Sequence, residues 1–274
     1  MAIDAIQVGD SAHIHRVRLR DGSVLVGQVT AVTRDSVSIR TAAGAFTVAR
    51  AAIASVTEVG ADSVRDGVAW PESVHQTRLL FSPTAFPLEP GEGYYSNFWI
   101  FLSSFAVGVT EKFTVGAGLT TFPSADITDN VFFFLPKYTI VERDGFAGAV
   151  GVLAASMPDF DTGRISLGIL YGVTTFGQPE AHLTLGAGWG YVQENIAKRP
   201  VLTIGGLKRT SPSFALMTEN WIFPVDNAFV GFATYGMRFI GDRLSADLAF
   251  GNAFGDGATP VFPGFPLVGF AFRF

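Results

Sequence analysis

The end of the chain, Gly264 to Phe274, constrains the fold more than any other stretch. From Pro266 onward the side chains alternate strictly between two kinds. Alternation with a period of two indicates a β-strand whose two faces meet different surroundings. One face is apolar and aromatic, and the other is small or charged. The apolar set is Val268, Phe270, Phe272 and Phe274, and the opposite set is Leu267, Gly269, Ala271 and Arg273.

The composition indicates which surroundings the apolar face meets. A soluble sheet turns such a face to a core, whereas a membrane barrel turns it to lipid. Hydrophobic residues make up 48% of the chain, including 26 Phe, and charged residues only 16%. Ordinary soluble domains contain roughly 25% charged residues. A transmembrane helix needs about 18 consecutive apolar residues, and the sequence contains no such run. We therefore predict an all-β chain that crosses a membrane with strands.

The terminal Phe, preceded by aromatics at every second position, resembles the C-terminal targeting strand of bacterial outer-membrane β-barrels. This resemblance implies that the barrel-assembly machinery reads Val268, Phe270, Phe272 and Phe274, and that outer-membrane lipid surrounds the protein. The stretches LFSPTAFPLEPGEGYYSN and TENWIFP resemble a family of bacterial outer-membrane barrels that has no established activity. The first residues lack the basic and apolar segments of a secretory signal. We expect a mature chain from which that signal has been removed.

Residues 77–274 predict an antiparallel transmembrane barrel of twelve strands, with ten as the alternative. Most predicted strands have the length that a tilted strand needs to cross the hydrocarbon. The first is expected at Thr77–Ala85 and the second at Tyr94–Val109. Short turns alternate with longer loops, as in outer-membrane barrels, whose short turns face the periplasm. With twelve strands, both ends of the barrel lie on the periplasmic side.

Residues 1–60 predict a separate small β-module, joined to the barrel by a linker at residues 61–76. Short strands are separated by turns such as Asp21-Gly22. The pattern RLRDGSVLVGQV, followed by DSVSIRTAAGAFTVARAAIASV, resembles SH3-like or Sm-like barrels. Sm-like domains bind RNA, but residues 1–66 carry seven Arg against seven acidic residues, and their only aromatic side chain is Phe46. We expect no nucleic-acid partner, and instead a periplasmic module that docks on a periplasmic or cell-wall partner.

Inside the barrel, the glycine-rich strand faces are expected to line the lumen and the apolar faces to contact lipid. In the strand that begins near residue 164, this assigns Ile165, Leu167, Ile169, Tyr171 and Val173 to lipid. For Glu219, a structural bond to a neighbouring loop is favoured over a role in setting pore charge. The long side chains expected to point into the lumen are Arg164, Glu219, Arg238, Asp247 and Arg273.

The loops predicted on the outer rim are acidic. They could concentrate cations at a pore mouth, although they offer too few ligands for a dedicated calcium site. The acidic residues assigned to these loops are Glu89, Glu92, Asp126, Asp129, Asp159 and Asp161.

The sequence predicts no enzyme, no cofactor and no metal site. It contains no cysteine, no nucleophile-elbow pattern and no paired metal-binding histidines at helical spacing. The leading functional prediction is a narrow channel or passive transporter for small solutes or ions. The alternative is a non-conducting structural barrel that presents the periplasmic module. A less favoured third possibility is a lipid-modifying enzyme of the outer membrane.

Overall fold

The structure is a computed structural model that describes residues 8, 13–60, 64–65, 68–70, 75–122, 126–159, 163–225 and 228–274. The chain divides into two compact units, Met1–Glu72 and Ser73–Phe274. Within the described ranges, no helix is both long and apolar enough to cross a membrane.

The first unit contains a five-stranded antiparallel sheet. Its strand order is β4-β3-β2-β1-β5, so β4 and β5 are the outermost strands in this order among the residues that the structure describes. Its core consists of β-branched residues, among them Val17, Val29 and Ile39, which suit a pleated, buried face. The strands are β1 His13–Leu19, β2 Val24–Val32, β3 Ser36–Thr41, β4 Gly44–Ala49 and β5 Ile53–Gly60, followed by a two-stranded pair, β6 Val64–Arg65 and β7 Val68–Ala69.

The second unit is a closed antiparallel barrel of twelve strands, which confirms the predicted fold class. Each strand pairs with its sequence neighbours, and β8 pairs with β20 to close the ring. A two-residue strand, β15 Asn195–Ile196, extends β14 outside the ring. The wall strands are β8 Gly93–Phe98, β9 Leu102–Gly108, β10 Phe113–Thr120, β11 Phe132–Arg143, β12 Phe146–Asp159, β13 Gly163–Gln178, β14 Ala181–Val192, β16 Val201–Ser211, β17 Phe214–Val225, β18 Ala228–Ile240, β19 Leu244–Gly255 and β20 Phe265–Arg273.

The first two wall strands differ from the prediction. Thr77–Ala85 is not part of the wall, because wall pairing begins at Gly93. The predicted strand at Tyr94–Val109 is instead two strands, β8 and β9, joined by a turn in which Trp99 and Ile100 have φ angles of 51° and 67°. Left-handed backbone at two consecutive positions is the geometry of a tight β-hairpin turn. The wall therefore has the predicted twelve strands only because one predicted strand lies outside it and another is divided into two.

The outside of the barrel is apolar. Phe270 and Phe272 of β20 expose 41% and 43% of their surface, whereas Leu267 and Ala271 on the opposite face are buried. A closed barrel leaves no strand edge without a backbone partner, and an apolar exterior suits hydrocarbon. The second unit is therefore a transmembrane β-barrel of the outer-membrane type.

The faces of β13 are the reverse of the prediction. Tyr171 and Val173 point into the barrel, where they pack with Ala85. Leu170 and Phe176 lie on the outer face, 45% and 44% exposed. The reason is that the lumen next to β13 is filled with apolar protein, so the larger apolar face is stabilised inside.

The two rims of the barrel differ in the length of their connections. One rim, here called the short-turn rim, carries the connections at residues 109–112, 144–145, 179–180, 212–213 and 241–243. The opposite rim, here called the long-loop rim, carries the longest connections, at residues 121–131, 193–200 and 256–264. In outer-membrane barrels the short turns face the periplasm.

Candidate functional site

The lumen is occupied by residues 75–92, here called the plug. Its first part forms a small hairpin, in which the N–H of Thr84 donates to the carbonyl of Thr77 and the N–H of Leu79 donates to that of Ser82, each at 2.9 Å. Pro83 lies in this hairpin and Pro87 follows it. Because proline has no N–H to donate to a neighbouring strand, these two residues disfavour a regular sheet here. Most plug side chains from His75 to Leu88 are buried.

Both ends of the plug lie near the short-turn rim. At the start, His75 Nδ1 lies 3.0 Å from the hydroxyl of Ser245, the second residue of β19. At the end, the N–H of Leu88 donates to the hydroxyl of Thr114 at 3.1 Å, and the N–H of Gly91 donates to the carbonyl of Gly108 at 2.9 Å. The chain therefore enters and leaves the lumen on the same side.

Glu219 of β17 holds the tip of the plug. Its Oε2 accepts hydrogen bonds from the backbone N–H groups of Leu80, Phe81 and Ser82, at 2.9, 3.0 and 3.0 Å. Its Oε1 accepts one from Trp221 Nε1 at 2.7 Å. Hydrogen bonds to an ionised acceptor are about twice as strong as neutral ones. The predicted lumen residue Glu219 thus bonds to the plug, whereas the bond was expected to reach a loop.

Arg238 and Asp247 form a buried ion pair below the plug tip. Arg238 donates to both carboxylate oxygens of Asp247, through Nε at 2.7 Å and Nη2 at 3.0 Å. The same Nη2 donates to the carbonyl of Leu79 at 2.8 Å. His75 Nε2 lies 3.5 Å from Asp247 Oδ2. Two wall strands, β18 and β19, are thereby joined to the plug at two points.

Lys137 of β11 is a third anchor, and the sequence analysis missed it. Its ammonium donates to three plug carbonyls, those of Thr77 at 3.3 Å, Thr84 at 2.8 Å and Phe86 at 2.6 Å. The signal was present: this lysine interrupts the apolar run of β11, FFFLPKYTIV. A lysine in the middle of a strand that crosses lipid is expected to face inward toward a partner.

Apolar contacts complete the plug's attachment to the wall. Leu79 and Leu80 belong to one buried apolar cluster with residues of β8, β16, β17, β18, β19 and β20. Ala85 and Phe86 pack against β12 and β13, and Leu88 packs against Tyr94, Ala106 and Ala271. The plug is thus packed against the wall on several sides, as side chains are in a protein interior.

Of two further residues predicted to line the lumen, one lies on the outer face and the other points inward at a rim. Arg164 was assigned to the lumen but lies on the outer face, with its guanidinium 5.1 Å from the ring centre of Phe132 and Nε 2.9 Å from the hydroxyl of Ser156. It stands at the long-loop end of β13, above the apolar band, where a charged group can face outward. Arg273 points inward at the short-turn rim, where its Nε lies 3.3 Å from Glu92 Oε1.

The acidic loop residues do not form one group. Glu89 and Glu92 were assigned to an outer loop but lie at the short-turn rim, because the segment that carries them belongs to the plug and precedes the first wall strand. Asp126 and Asp129 bond to each other across one short 3₁₀ turn. Asp159 ends β12 on the long-loop side, and Asp161 lies outside the described residues. No group of three or more potential metal ligands occurs in the described part of the chain.

The proposed assembly residues all lie on the outer face of β20 or at its end. Val268, Phe270, Phe272 and Phe274 are exposed, so each is available to lipid. The N–H of Phe274 donates to the carbonyl of Gly93 at 3.1 Å, and its ring covers Gly93, where an added Cβ would approach that ring to 2.8 Å. The last residue thus packs on the first wall strand.

No protein-family model matches the chain, and neither does any curated protein. Among solved structures, the chain is similar to the NanC porin, with 9% sequence identity and a TM-score of 0.41, over 66% of this chain and 97% of that one. It is also similar to OmpT, an outer membrane protein of Vibrio cholerae, with 9% identity and a TM-score of 0.38, over 98% and 100% of the two chains.

A loop L8 deletion mutant of the same OmpT gives 8% identity and a TM-score of 0.38, over 96% of this chain and 97% of that one. At these identities the likeness concerns the fold alone. The resemblance of the barrel to one particular family, and that of residues 1–60 to SH3-like or Sm-like barrels, stay predictions.

Proposed function

We propose that this protein is a membrane anchor whose barrel is closed by its own plug and which presents residues 1–60 in the periplasm. The observation that carries the proposal is the occupied lumen. Glu219, Lys137 and the Arg238–Asp247 pair all bind the plug, and none of them lines an open aqueous path as the channel prediction required. The geometry therefore favours the non-conducting alternative.

Displacing the plug costs so much free energy that thermal fluctuations rarely open the barrel. Leaving a buried N–H without a partner costs about 1–3 kcal/mol, and Glu219 alone satisfies three such groups. A penalty of about 3 kcal/mol already reduces an open state to below roughly 1% of molecules. With Lys137 and the apolar contacts added, a spontaneously open barrel is rarer still.

The proposed periplasmic location of residues 1–60 rests on where the plug begins. His75 lies near the short-turn rim, beside Ser245, and that rim faces the periplasm in outer-membrane barrels. Residues that precede the plug then start on the periplasmic side. The partner proposed for them is a periplasmic or cell-wall component, while the barrel contacts outer-membrane lipid and is inserted by the assembly machinery.

Conductance in planar lipid bilayers tests the closed barrel. We expect no stable conductance from the wild-type protein. A variant with residues 76–88 replaced by a short Gly-Ser linker should conduct, because twelve strands enclose more space than the ~8-stranded barrels that side chains fill. Glu111→Gln, in an exposed turn, is the matched control and should stay silent.

Steady wild-type conductance equal to that of the plugless variant would contradict the closed barrel and support the channel prediction. If the plugless variant does not fold, Glu219→Ala provides the same comparison, since it loosens the plug tip and leaves the rest of the chain intact.

A further inference from the structure

The barrel wall is much lower on one side than on the other. β8 and β9 contain six and seven residues, whereas β12 and β13 contain 14 and 16. At about 3.4 Å per residue and a tilt of about 40°, six residues rise only about 15 Å, against an apolar band about 25 Å tall in outer-membrane barrels. The turn between β8 and β9 therefore ends about 10 Å below the outer edge of that band. The space above this turn is here called the notch.

The lower edge of the apolar band is marked by aromatic pairs near the short-turn rim. The ring centres of Phe146 and Phe176 are 5.3 Å apart, and those of Phe214 and Phe239 are 5.6 Å apart. Aromatic side chains form a girdle at each water interface of such barrels. β8 begins at the same rim, at Gly93, so the rise of β8 is counted from the membrane surface.

Contacts with β20 give the turn a position that agrees with this estimate. The N–H of Trp99 donates to the carbonyl of Val268, and its Nε1 donates to that of Pro266, each at 3.0 Å. Pro266 is paired with Phe250 of β19, and Phe250 with Tyr235 of β18. Tyr235 lies in the middle of β18, which has 13 residues. The turn is therefore in register with the middle of that strand and not with its outer end.

The surface around the notch is apolar and uncharged. Ile100 exposes 79% of its surface and Trp99 41%. The three segments that form this side contain no Asp, Glu, Lys or Arg, and they are 93–110, 113–122 and 257–272. The connection after β14 at the same rim is charged, through Glu194, Lys198 and Arg199. A surface without charge suits hydrocarbon and not water.

The carbonyls at the tip of the turn are bonded within the protein. The carbonyl of Ile100 accepts hydrogen bonds from Asn97 Nδ2 at 3.1 Å and from Thr121 Oγ1 at 3.4 Å. The N–H of Thr121 donates to the carbonyl of Phe101 at 2.6 Å. A turn in water needs no such partners, because water supplies them. In hydrocarbon, backbone groups have to be satisfied by the protein itself.

The connection before β20 reaches the same part of the outer face. The hydroxyl of Tyr235 donates to the carbonyl of Pro263 at 2.8 Å, and the N–H of Val261 donates to Asn252 Oδ1 at 2.9 Å. Three residues of this stretch have no N–H at all, namely Pro260, Pro263 and Pro266. The connection therefore presents few backbone donors to its surroundings, as hydrocarbon requires.

The plug closes the inner side of the notch. The ring centre of Phe81, at the plug tip, lies 4.3 Å from that of Phe98, which lies 5.5 Å from that of Trp99. This aromatic layer stands between the notch and the polar anchor Glu219. The notch thus meets apolar side chains on its inner side as well as below.

We propose that hydrocarbon chains of outer-leaflet lipid fill the notch and cover the β8–β9 turn and residues 261–264. Leaving this apolar surface in water is unfavourable. The surface is continuous with the exposed Phe105 of β9 and Phe270 of β20, which lie on the lipid-facing exterior. That continuity favours lipid over a second copy of the chain. The proposal goes beyond the anchoring role, since it assigns a membrane-buried position to a turn and a connection on the rim that otherwise faces water.

Quenching of tryptophan fluorescence by brominated phosphatidylcholine in nanodiscs tests the depth of the turn. Two full-length variants each keep one of the four tryptophans, Trp99 or Trp189, and have Phe at the other three positions. Trp189 lies on the outer face of β14, 46% exposed, and about 20 Å above the short-turn rim. Trp99 should be quenched most by lipid brominated at carbons 11 and 12, and Trp189 by lipid brominated at carbons 6 and 7.

A charge placed on the turn provides a second measurement that does not need the tryptophan variants. Ile100→Arg should lower the folding equilibrium constant in lipid vesicles at least about tenfold relative to Ile100→Met. The Met variant is the reference because it also removes the branched side chain from left-handed backbone. The matched control is Ile196, 62% exposed in the charged connection after β14, where Arg and Met should differ less than about fivefold.

Two results would overturn the proposal. One is a quenching depth of Trp99 equal to or shallower than that of Trp189, and the other is an arginine penalty at Ile100 no larger than that at Ile196. Unquenched Trp99 in a protein that cross-links as a dimer would place a second copy on this face and would equally exclude lipid. None of these results bears on the closed barrel, which bilayer conductance tests separately.

Discussion

At the scale of single residues, the plug depends on a few polar side chains that each satisfy several backbone groups. Glu219 is the clearest case, because one carboxylate oxygen accepts three successive N–H groups of the plug tip. A hairpin tip without this acceptor would leave those groups buried and unpaired. The same logic applies to Lys137 and its three carbonyls.

Replacing Glu219 should therefore weaken the barrel measurably. We expect Glu219→Ala to lower the free energy of unfolding by about 3 kcal/mol or more, since it leaves buried N–H groups without acceptors. Glu219→Gln keeps one acceptor oxygen and should lower it by less. The measurement is urea unfolding of the refolded protein in lipid vesicles, with Glu111→Ala as the exposed control. An effect of Glu219→Ala no larger than that of the control would contradict the role assigned to this carboxylate.

The sequence could show which residues were candidates, but not always which way they point. Arg238 and Asp247 were recognisable as inward because their strands alternate cleanly between apolar and small residues. Arg164 was misassigned because the two faces of β13 are the reverse of the prediction, and this depends on the plug rather than on the alternation within the strand. Near the rim, above the apolar band, a charged residue can face outward at little cost. Lys137 was missed although it stands alone in an apolar run.

At the scale of strands and segments, the sequence predicts those elements whose two faces differ strongly. β14, β19 and β20 expose the apolar faces that were predicted for lipid. The segment at residues 77–85 alternates like a strand but is surrounded by protein inside the barrel. β13 turned its larger apolar face inward because this segment gives it apolar contacts there. No local pattern could show that, since it depends on where a distant segment lies.

The last strand carries a prediction of its own. Deleting Phe274 should reduce the amount of barrel assembled in cells several-fold, because the exposed aromatic row ending in Phe274 is available to the assembly machinery. The refolded protein should lose no more than about 1–2 kcal/mol of stability, since the ring is largely exposed. Heat-modifiable gel mobility of membrane fractions measures assembly, and urea unfolding measures stability. Phe262→Ala, in an exposed loop, is the control. Equal assembly of the truncated and full-length chains would refute the role of Phe274 in assembly.

At the scale of the whole molecule, the fold class followed from composition and alternation, but the state of the lumen did not. Low charge, abundant Phe and the final strand were sufficient to predict a transmembrane barrel, whereas the count of twelve agrees only because one predicted strand is absent from the wall and another is divided into two. Whether a barrel of this size is open depends on contacts between segments far apart in sequence, such as Glu219 with residues 80–82. Those contacts are the ground on which we propose the non-conducting alternative.

The proposed orientation predicts which parts of the chain are accessible from outside the cell. The chain has no cysteine, so single cysteines can be labelled without background. Thr259→Cys, in the long connection before β20, should react with a membrane-impermeant maleimide on intact cells. Ala43→Cys, in the module, should react only after the outer membrane is permeabilised. Labelling of Ala43→Cys on intact cells would contradict the periplasmic location.

The position of the plug in the sequence also determines the order in which the molecule can be built. The plug precedes every wall strand, and the ring is completed only when β8 pairs with β20, which ends at Arg273. Closing a loop of that length carries a large entropic penalty, and a finished ring would leave the plug to enter through a narrow mouth. We therefore expect residues 75–92 to be in place before the final seam between β8 and β20 forms.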